Sequence, residues 1–113
     1  MLKFEQSAHG DMTVLSVSGN LDSLTVPEIR PEIENIVAAG TRKVALDLSG
    51  LEVIDSSGIG AIVSLFKRVR SMGSGADVKI VGVRGQPREI LRLLGLERAF
   101  DIVDTLDDAA QRF

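Results

Sequence analysis

The segment Asp55-Ser56-Ser57-Gly58, between a short apolar run and an amphipathic one, has the most evident chemical potential in this chain. Asp and Ser oxygens can cap a helix by accepting hydrogen bonds from its first backbone N–H groups, typically contributing about 1 kcal/mol. Capping does not account for Gly58 and Gly60, each of which costs roughly 1 kcal/mol of helix propensity against alanine and leaves backbone amides open to close approach. Two interpretations therefore stay open: a plain helix cap, and a site for an anion or a protein partner.

Catalytic chemistry is poorly supported by the other polar residues. A serine hydrolase needs a positioned base, but the single histidine, His9, falls in a predicted hairpin turn, and no G-x-S-x-G elbow is present. A phospho-accepting role for Asp55 would need an acidic pair for Mg²⁺ in the first strand, which is missing. The glycine pairs at 58–60 and 73–75 lack the continuation of a nucleotide-binding loop. We therefore expect no enzymatic activity, no metal and no cofactor.

Composition restricts the class of protein. The chain has 113 residues, a hydrophobic fraction of 44% and a net charge of −3, so it lacks the basic excess that attracts nucleic acid. It contains no cysteine, which suits a reducing compartment. No apolar run approaches the roughly 20 residues needed to cross a bilayer, and the start does not resemble a secretory signal. We expect a single cytoplasmic domain over residues 1–113, with no membrane insertion and no direct contact with nucleic acid.

Alternating and helical periodicities predict the elements that position the Asp55 segment. In chain order they are a hairpin of strands 2–7 and 12–18 joined at 8–11, a helix over 26–39, a strand over 43–49, a helix from the serines through 69, a strand over 78–83, a helix from 87, a short strand within 100–105 and a last helical turn. This order predicts an α/β fold in which a mixed sheet, made of an N-terminal hairpin plus parallel strands, packs with about four helices. Leu91, Leu94 and Leu96 are expected in the core. The helix from the serines has one apolar stripe at helical spacing, formed by Ile59, Ile62, Val63, Phe66 and Val69.

Three local features carry further expectations. Pro31 would lose a hydrogen bond inside a helix, so the regular helix is expected to begin near it. Residues 51–54 are expected to link the strand over 43–49 to the next helix. Lys67, Arg68 and Arg70 fall in the last turns of that helix, where cations complement the dipole, so a solvated helix end or a contact with an acidic partner is predicted.

Three stretches, spread over residues 19–105, resemble the bacterial anti-sigma factor antagonists, which are stand-alone STAS domains. They read GNLDSLTVPEIRPEI, VALDLSGLEVIDSSGIGAIVSLFKRV and LRLLGLERAFDIVDT. The central stretch is the most specific, because L-D-L-S is followed by a short apolar link, by D-S-S-G and by an amphipathic helix. The family usually has G-E-L-D where this chain has Gly19-Asn20-Leu21-Asp22.

The resemblance implies a regulatory switch. In that family the serine after the aspartate, here Ser56, is phosphorylated by the binding partner, an anti-sigma factor that is also a serine kinase. Helix capping by itself does not distinguish Ser56 from Ser57. The unmodified protein binds that partner and releases the sigma factor, and phosphorylation, reversed by a phosphoserine phosphatase, ends the binding. The resemblance also implies a contact surface, which includes the exposed face of the helix that begins at the serines. Its other residues are Asp22, Ser23, Thr25, Asp55, Ser56, Ser57, Gly58, Ile59 and Gly60.

A second hypothesis belongs to another class. A STAS-type accessory or scaffold subunit would dock on a transporter or a signalling complex through the same face without a phospho-switch. In both cases the chain is a binding module and not an enzyme, and a monomer is favoured.

Overall fold

A five-stranded sheet forms the centre of the computed structural model, which describes all 113 residues. The strands and helices, in chain order, are β1 (Leu2–His9), β2 (Met12–Leu21), α1 (Val26–Ala38), β3 (Lys43–Ile54), α2 (Ser56–Arg70), β4 (Asp77–Val81), α3 (Gly85–Leu93), β5 (Asp101–Val103) and α4 (Leu106–Gln111). The spatial order of the strands is β1-β2-β3-β4-β5, the same as their order along the chain.

The predicted N-terminal hairpin is confirmed. Strands β1 and β2 pair antiparallel from Leu2 opposite Gly19 to His9 opposite Met12. Gly10, with a φ of 64°, adopts a left-handed conformation in the turn between them, which glycine accepts without steric cost. The second strand continues beyond the alternating segment to Leu21, which brings its end close to the Asp55 segment.

The other strand pairs are parallel, and a helix connects each neighbouring pair. Because a parallel connection must return to the same end of the sheet, helical crossovers follow from alternating strand and helix patterns. The carboxyl ends of β2, β3 and β4 therefore lie at the same end of the sheet. The predicted mixed α/β architecture with four helices is confirmed.

The expected start of α1 near Pro31 is wrong. The helix begins at Val26 and continues through Pro31. Pro31 is exposed, while Ile29, Ile33 and Ile36 are buried on the other side. Burial of these three side chains stabilises the helix by several kcal/mol in total, at roughly 1.5–3 kcal/mol for each, which offsets the hydrogen bond that the proline removes.

The expected linker over residues 51–54 is also wrong, because these residues belong to β3. Its register against β2 shifts twice, between Ser16 and Ser18 and between Gly19 and Asn20. Each shift adds a residue to β3, and such bulges bend a strand and increase its twist. Leu51 and Ile54 are buried, so the bent end of β3 remains part of the core.

Apolar side chains fill both faces of the sheet. The larger cluster has 25 buried residues and includes the predicted stripe residues Ile59, Ile62, Phe66 and Val69 of α2. The smaller cluster has five buried residues and lies where Ala109 of α4 packs on the opposite face. Leu91 is buried and Leu96 packs against the larger cluster, but Leu94 is 58% exposed, which corrects its expected place in the core. It is the C-cap residue of α3, directly after the last helical residue, Leu93.

Candidate functional site

Asp55 organises the start of α2. It is the N-cap residue, with extended backbone, and its Oδ1 accepts a hydrogen bond of 3.0 Å from the Gly58 N–H. Its other oxygen, Oδ2, accepts a hydrogen bond of 3.1 Å from the Ser23 N–H. One carboxylate therefore caps the helix and ties it to the loop that follows β2.

Ser56 and Ser57 are the first two residues of α2, and both are exposed. Of the acid and the two serines that could cap the helix, Asp55 supplies the capping oxygen. The capping bond therefore uses neither serine hydroxyl. Both hydroxyls therefore stand at the positive end of the helix dipole, free of a structural task there.

The loop between β2 and α1 is held by its own side chains. Asp22 Oδ1 accepts hydrogen bonds from the Leu24 N–H at 3.0 Å and from the Thr25 N–H at 3.1 Å. The Thr25 hydroxyl donates to the Asn20 carbonyl at 2.8 Å. These local bonds give the loop a defined shape, in which Ser23 and Leu24 face outward.

Three of the nine predicted contact residues are buried and expose little surface of their own. Thr25 is 7% exposed, Ile59 is 9% exposed, and Gly58 is buried as well. The Gly58 N–H, expected to be open, is donated to Asp55. These residues shape the surface from beneath.

Gly58 is required by packing within the chain. A β-carbon at this position would lie 2.4 Å from the Leu21 carbonyl oxygen and 2.6 Å from Ile54 Cγ1. Both distances are far below van der Waals contact, so only glycine lets α2 approach the ends of β2 and β3 this closely. Gly60 differs, because it is exposed and a β-carbon there would meet nothing within 4 Å.

Sequence reasoning missed two exposed apolar residues at the carboxyl end of the parallel strands, near the start of α2. Leu24, in the loop held by Asp22, is 84% exposed, and Val53, near the end of β3, is 44% exposed. Leu24 was detectable in principle as a large apolar residue inside the polar stretch Asp22-Ser23-Leu24-Thr25. Val53 carried no such signal, because it reads as part of the short apolar link over residues 51–54.

Gln86 of α3 holds the end of β3 and was also missed. Its side-chain oxygen accepts a hydrogen bond from the Ile54 N–H, and its side-chain nitrogen donates to the Ile54 carbonyl, both at 2.9 Å. The amide thus substitutes for a neighbouring strand directly before Asp55. The two residues are 32 positions apart, so no local pattern announces this contact.

Electrostatics keep the Asp55 carboxyl ionised. The hydrogen bond from the Gly58 N–H, supported by those from the Ser23 and Ser57 N–H groups, lowers the pKa of Asp55 below its usual value, against a smaller opposing effect of desolvation. A fixed negative charge therefore lies next to Ser56.

The predicted basic cluster at the end of α2 is mostly engaged within the chain. Arg68 donates to Glu34 of α1 at 2.8 Å, and Arg70 donates to Asp77 at 2.6 Å. Both arginines therefore tie α2 to its neighbours, which neither predicted interpretation included. Lys67 remains exposed.

His9 lies at the other end of the sheet from Ser56. Its Nε2 is 3.0 Å from Asp107 Oδ1, and it pairs with Met12 at the start of β2, whereas Ser56 follows the end of β3. No histidine is therefore placed to act on either serine. No group of three or more His, Cys, Asp or Glu side chains is arranged to share a metal ion. None of the four helices has the length and apolarity to cross a membrane.

Fold and site together define a small mixed-sheet α/β module in which an exposed serine begins the helix after the second parallel strand. The STAS domain family model matches residues 3–109. The chain therefore belongs to the STAS domain family.

Individual relatives agree with this assignment. An anti-sigma-F factor antagonist of Mycobacterium tuberculosis is 27% identical over 89% of this chain and 80% of its own length. An anti-sigma-B factor antagonist of Staphylococcus epidermidis is 28% identical over 85% of this chain and 87% of its own length. The crystal structure of an anti-sigma factor antagonist from Mycobacterium paratuberculosis superimposes with a TM-score of 0.88 at 27% identity, covering 98% of this chain and 92% of that chain.

Proposed function

We propose that this protein is an anti-sigma factor antagonist that works by partner switching. In its unmodified form it binds an anti-sigma factor that is also a serine kinase, and the sigma factor is released. Phosphorylation of Ser56 by that partner reverses the binding, and a phosphoserine phosphatase resets the switch. The names of the relatives support the class, since those compared above are anti-sigma factor antagonists.

One contact carries the proposal: the 3.1 Å hydrogen bond from the Ser23 N–H to Asp55 Oδ2. It joins the loop over residues 22–25 to the start of α2, so the two segments form one surface. The exposed residues of this surface are Ser23, Leu24, Ser56, Ser57 and Gly60. A kinase that docks on the loop would therefore be positioned over the serine hydroxyls.

The same geometry accounts for release without unfolding. Phosphate brings about −1.5 to −2 charges, and the N-terminus of a helix tolerates such charge because the positive end of the helix dipole favours anions. A kinase surface that holds nucleotide phosphate is less tolerant, because like charges brought together in an interface cost several kcal/mol. The fixed charge of Asp55 beside Ser56 adds to this repulsion. The modified protein is thus expected to stay folded and to dissociate.

Leu24 is the natural apolar anchor of the surface. It is 84% exposed on a loop whose shape is held by Asp22 and Thr25. A large apolar side chain that enters a partner's pocket often dominates the binding energy when its surroundings exclude water. We propose that the complex forms in the cytoplasm, where a sigma factor acts on RNA polymerase.

Binding of purified anti-sigma kinase, measured by titration calorimetry, tests the switch. Ser56→Ala is expected to bind like wild type and to resist phosphorylation, whereas Ser56→Asp is expected to bind at least tenfold more weakly, which corresponds to about 1.4 kcal/mol. Ser57→Ala serves as the matched control, because it changes the neighbouring hydroxyl and is expected to leave phosphorylation on Ser56. Peptide mapping by mass spectrometry after incubation with ATP identifies the modified residue.

Two results would contradict the proposal. Phosphoprotein that binds the kinase as tightly as the unmodified protein would exclude charge repulsion as the release mechanism and would favour a scaffold subunit without a switch. Phosphate mapped to Ser57 would move the switch by one residue. Thermal unfolding of Ser56→Asp, expected within about 1 kcal/mol of wild type, separates a binding effect from a folding defect.

A further inference from the structure

Strand β1 leaves one long edge of the sheet unpaired. It pairs with β2 on one side only, over the eight residues Leu2–His9. The opposite edge of the sheet, β5, is only three residues long. A long strand edge offers a row of free N–H and C=O groups to which another strand can add.

The hydrogen-bonding phase of the hairpin determines which residues offer those groups. The Asn20 N–H donates to the Met1 carbonyl at 2.9 Å, and Leu2 lies opposite Gly19. Hydrogen-bonded and non-hydrogen-bonded pairs alternate along an antiparallel ladder, so Lys3 and Glu5 also bond toward β2. Leu2, Phe4 and Gln6 then direct their backbone groups to the open edge.

We propose that a second copy of this chain adds to that edge, antiparallel, with Phe4 opposite Phe4 of the second copy. A two-fold axis then passes between the two phenylalanines, as an isologous dimer requires. Leu2 of each copy pairs with Gln6 of the other. All hydrogen bonds between the copies are therefore formed by the backbone N–H and C=O groups of Leu2, Phe4 and Gln6, which face the open edge. The result is a continuous ten-stranded sheet.

Charge complementarity selects the second copy as the occupant of the edge. In this register Lys3 of each copy lies opposite Glu5 of the other, in the non-hydrogen-bonded pairs where side chains approach most closely. Both side chains are exposed, and neither forms an ion pair within its own chain. They border an open groove of about 670 Å³ that no helix covers, lined also by Ser16, Ser18 and Ser49.

The neighbouring registers are opposed by the same charges. Moving one copy by two residues in one direction places Glu5 opposite Glu5, and moving it in the other direction places Lys3 opposite Lys3. Like charges directly opposite each other destabilise a strand pair. Phe4, which is 36% exposed, also meets another apolar ring only in the proposed register.

This dimer departs from the monomer that the sequence favoured and does not depend on the Ser56 switch. The interface uses residues 2–6, none of which belongs to the surface formed by the 22–25 loop and the start of α2. A failure of either proposal therefore leaves the other standing.

Charge reversal with sedimentation analysis tests the dimer. Wild type is expected to show a reversible increase of mean mass with concentration. Lys3→Glu and Glu5→Lys are each expected to weaken association at least tenfold, because each creates two like-charge contacts. The double variant Lys3→Glu/Glu5→Lys, and an equimolar mixture of the two single variants, restore opposite charges and are expected to regain the wild-type association.

Disulfide trapping checks the register, since the chain has no cysteine of its own. Phe4→Cys places two thiols in a pair whose α-carbons are about 5.5 Å apart, within the range of a disulfide. The matched control Gln6→Cys leaves its thiols about 14 Å apart along the strands and is expected to stay reduced under the same oxidation. Wild type that remains monomeric up to about 1 mM, a double variant that fails to regain association, or equal crosslinking of both cysteine variants would overturn the proposal.

Discussion

At the scale of single residues, Asp55 performs the tasks that the sequence divided among several candidates. Its two oxygens cap α2 and hold the loop after β2. Because these tasks use Asp55, the hydroxyls of Ser56 and Ser57 stay exposed at the helix start. A serine that is free of structural work can be modified without loss of the fold.

The lowered pKa of Asp55 predicts an effect on acid stability. A carboxyl group with a lower pKa in the folded state stabilises that state above its unfolded pKa of about 3.9 and loses this contribution as pH falls through the folded value. Asp55→Asn keeps an acceptor for the cap but removes the titrating charge. We therefore expect its melting temperature to fall less steeply than that of wild type between about pH 5 and pH 2.

Thermal melts at a series of pH values measure this difference. Asp104→Asn is the control, because Asp104 is exposed and makes no hydrogen bond through its side chain. If the melting temperatures of Asp55→Asn and wild type fell equally steeply with pH, the ionised form of Asp55 would not contribute to stability.

At the scale of elements, the two early glycines of α2 have opposite roles. Gly58 lets the helix approach the Leu21 carbonyl, whereas Gly60 faces open space. The packing of α2 on the ends of β2 and β3 therefore depends on one glycine only. Both glycines lower helix propensity by a similar amount, but only Gly58 offsets this loss by allowing close packing of α2 against the strands.

Substitution of each glycine by alanine is expected to change stability in opposite directions. Gly58→Ala forces a methyl group against Leu21 and Ile54 and is expected to destabilise the fold by roughly 1–3 kcal/mol. Gly60→Ala is expected to stabilise it by up to about 1 kcal/mol, through higher helix propensity and lower entropy of the unfolded chain. Urea unfolding of both variants gives the two free energies. Equal effects would mean that the close approach at Gly58 has no energetic consequence.

At the scale of the whole molecule, a network of ion pairs joins β4 and β5 to the residues that pack beside them. Lys79 of β4 is only 6% exposed, and its Nζ lies 3.0 Å from Asp77 and 3.2 Å from Asp101 of β5. Burial raises the pKa of Asp77, but hydrogen bonds from Arg70 and Lys79 outweigh it and lower the pKa overall. A hydrogen bond from Arg112, followed by one from Lys79, lowers the pKa of Asp101. The network joins α2, β4, β5 and the C-terminal residues.

Removal of the central cation is expected to weaken the whole domain. Lys79→Met leaves the carboxylates of Asp77 and Asp101 close together without their shared partner, which we expect to cost about 2–3 kcal/mol at pH 7, a value reduced because both acids are partly solvated. The loss is expected to shrink as pH falls below about 4, where protonation removes the repulsion.

Lys43→Met is the matched control for this variant. Lys43 forms a single exposed ion pair with Asp11, and such surface pairs contribute little. Chemical unfolding of both variants at pH 7 and pH 3.5 measures the difference. A Lys79→Met protein as stable as wild type at neutral pH would show that the network is neutral for folding.

Much of this architecture follows from the sequence alone, because periodicity is local. Alternation predicted the hairpin, and helical spacing of Ile59, Ile62 and Phe66 predicted the buried side of α2. The acid, serines and glycine at 55–58 marked the start of that helix, since capping depends on residues three or four positions apart. The predicted strand and helix order led to the mixed sheet.

Tertiary structure alone decided how these parts meet. The bulges of β3, the contact of Ser23 with Asp55 and the contact of Gln86 with Ile54 join residues that are about 30 positions apart. Local patterns predicted that the regular helix begins near Pro31, but burial of Ile29, Ile33 and Ile36 lets α1 begin at Val26. Gly58 reads as an open backbone in the sequence and is a packing contact in the fold. The physical reason is the same in each case: chain segments distant in sequence share one core, and the free energy of packing them exceeds the local preferences of a few residues.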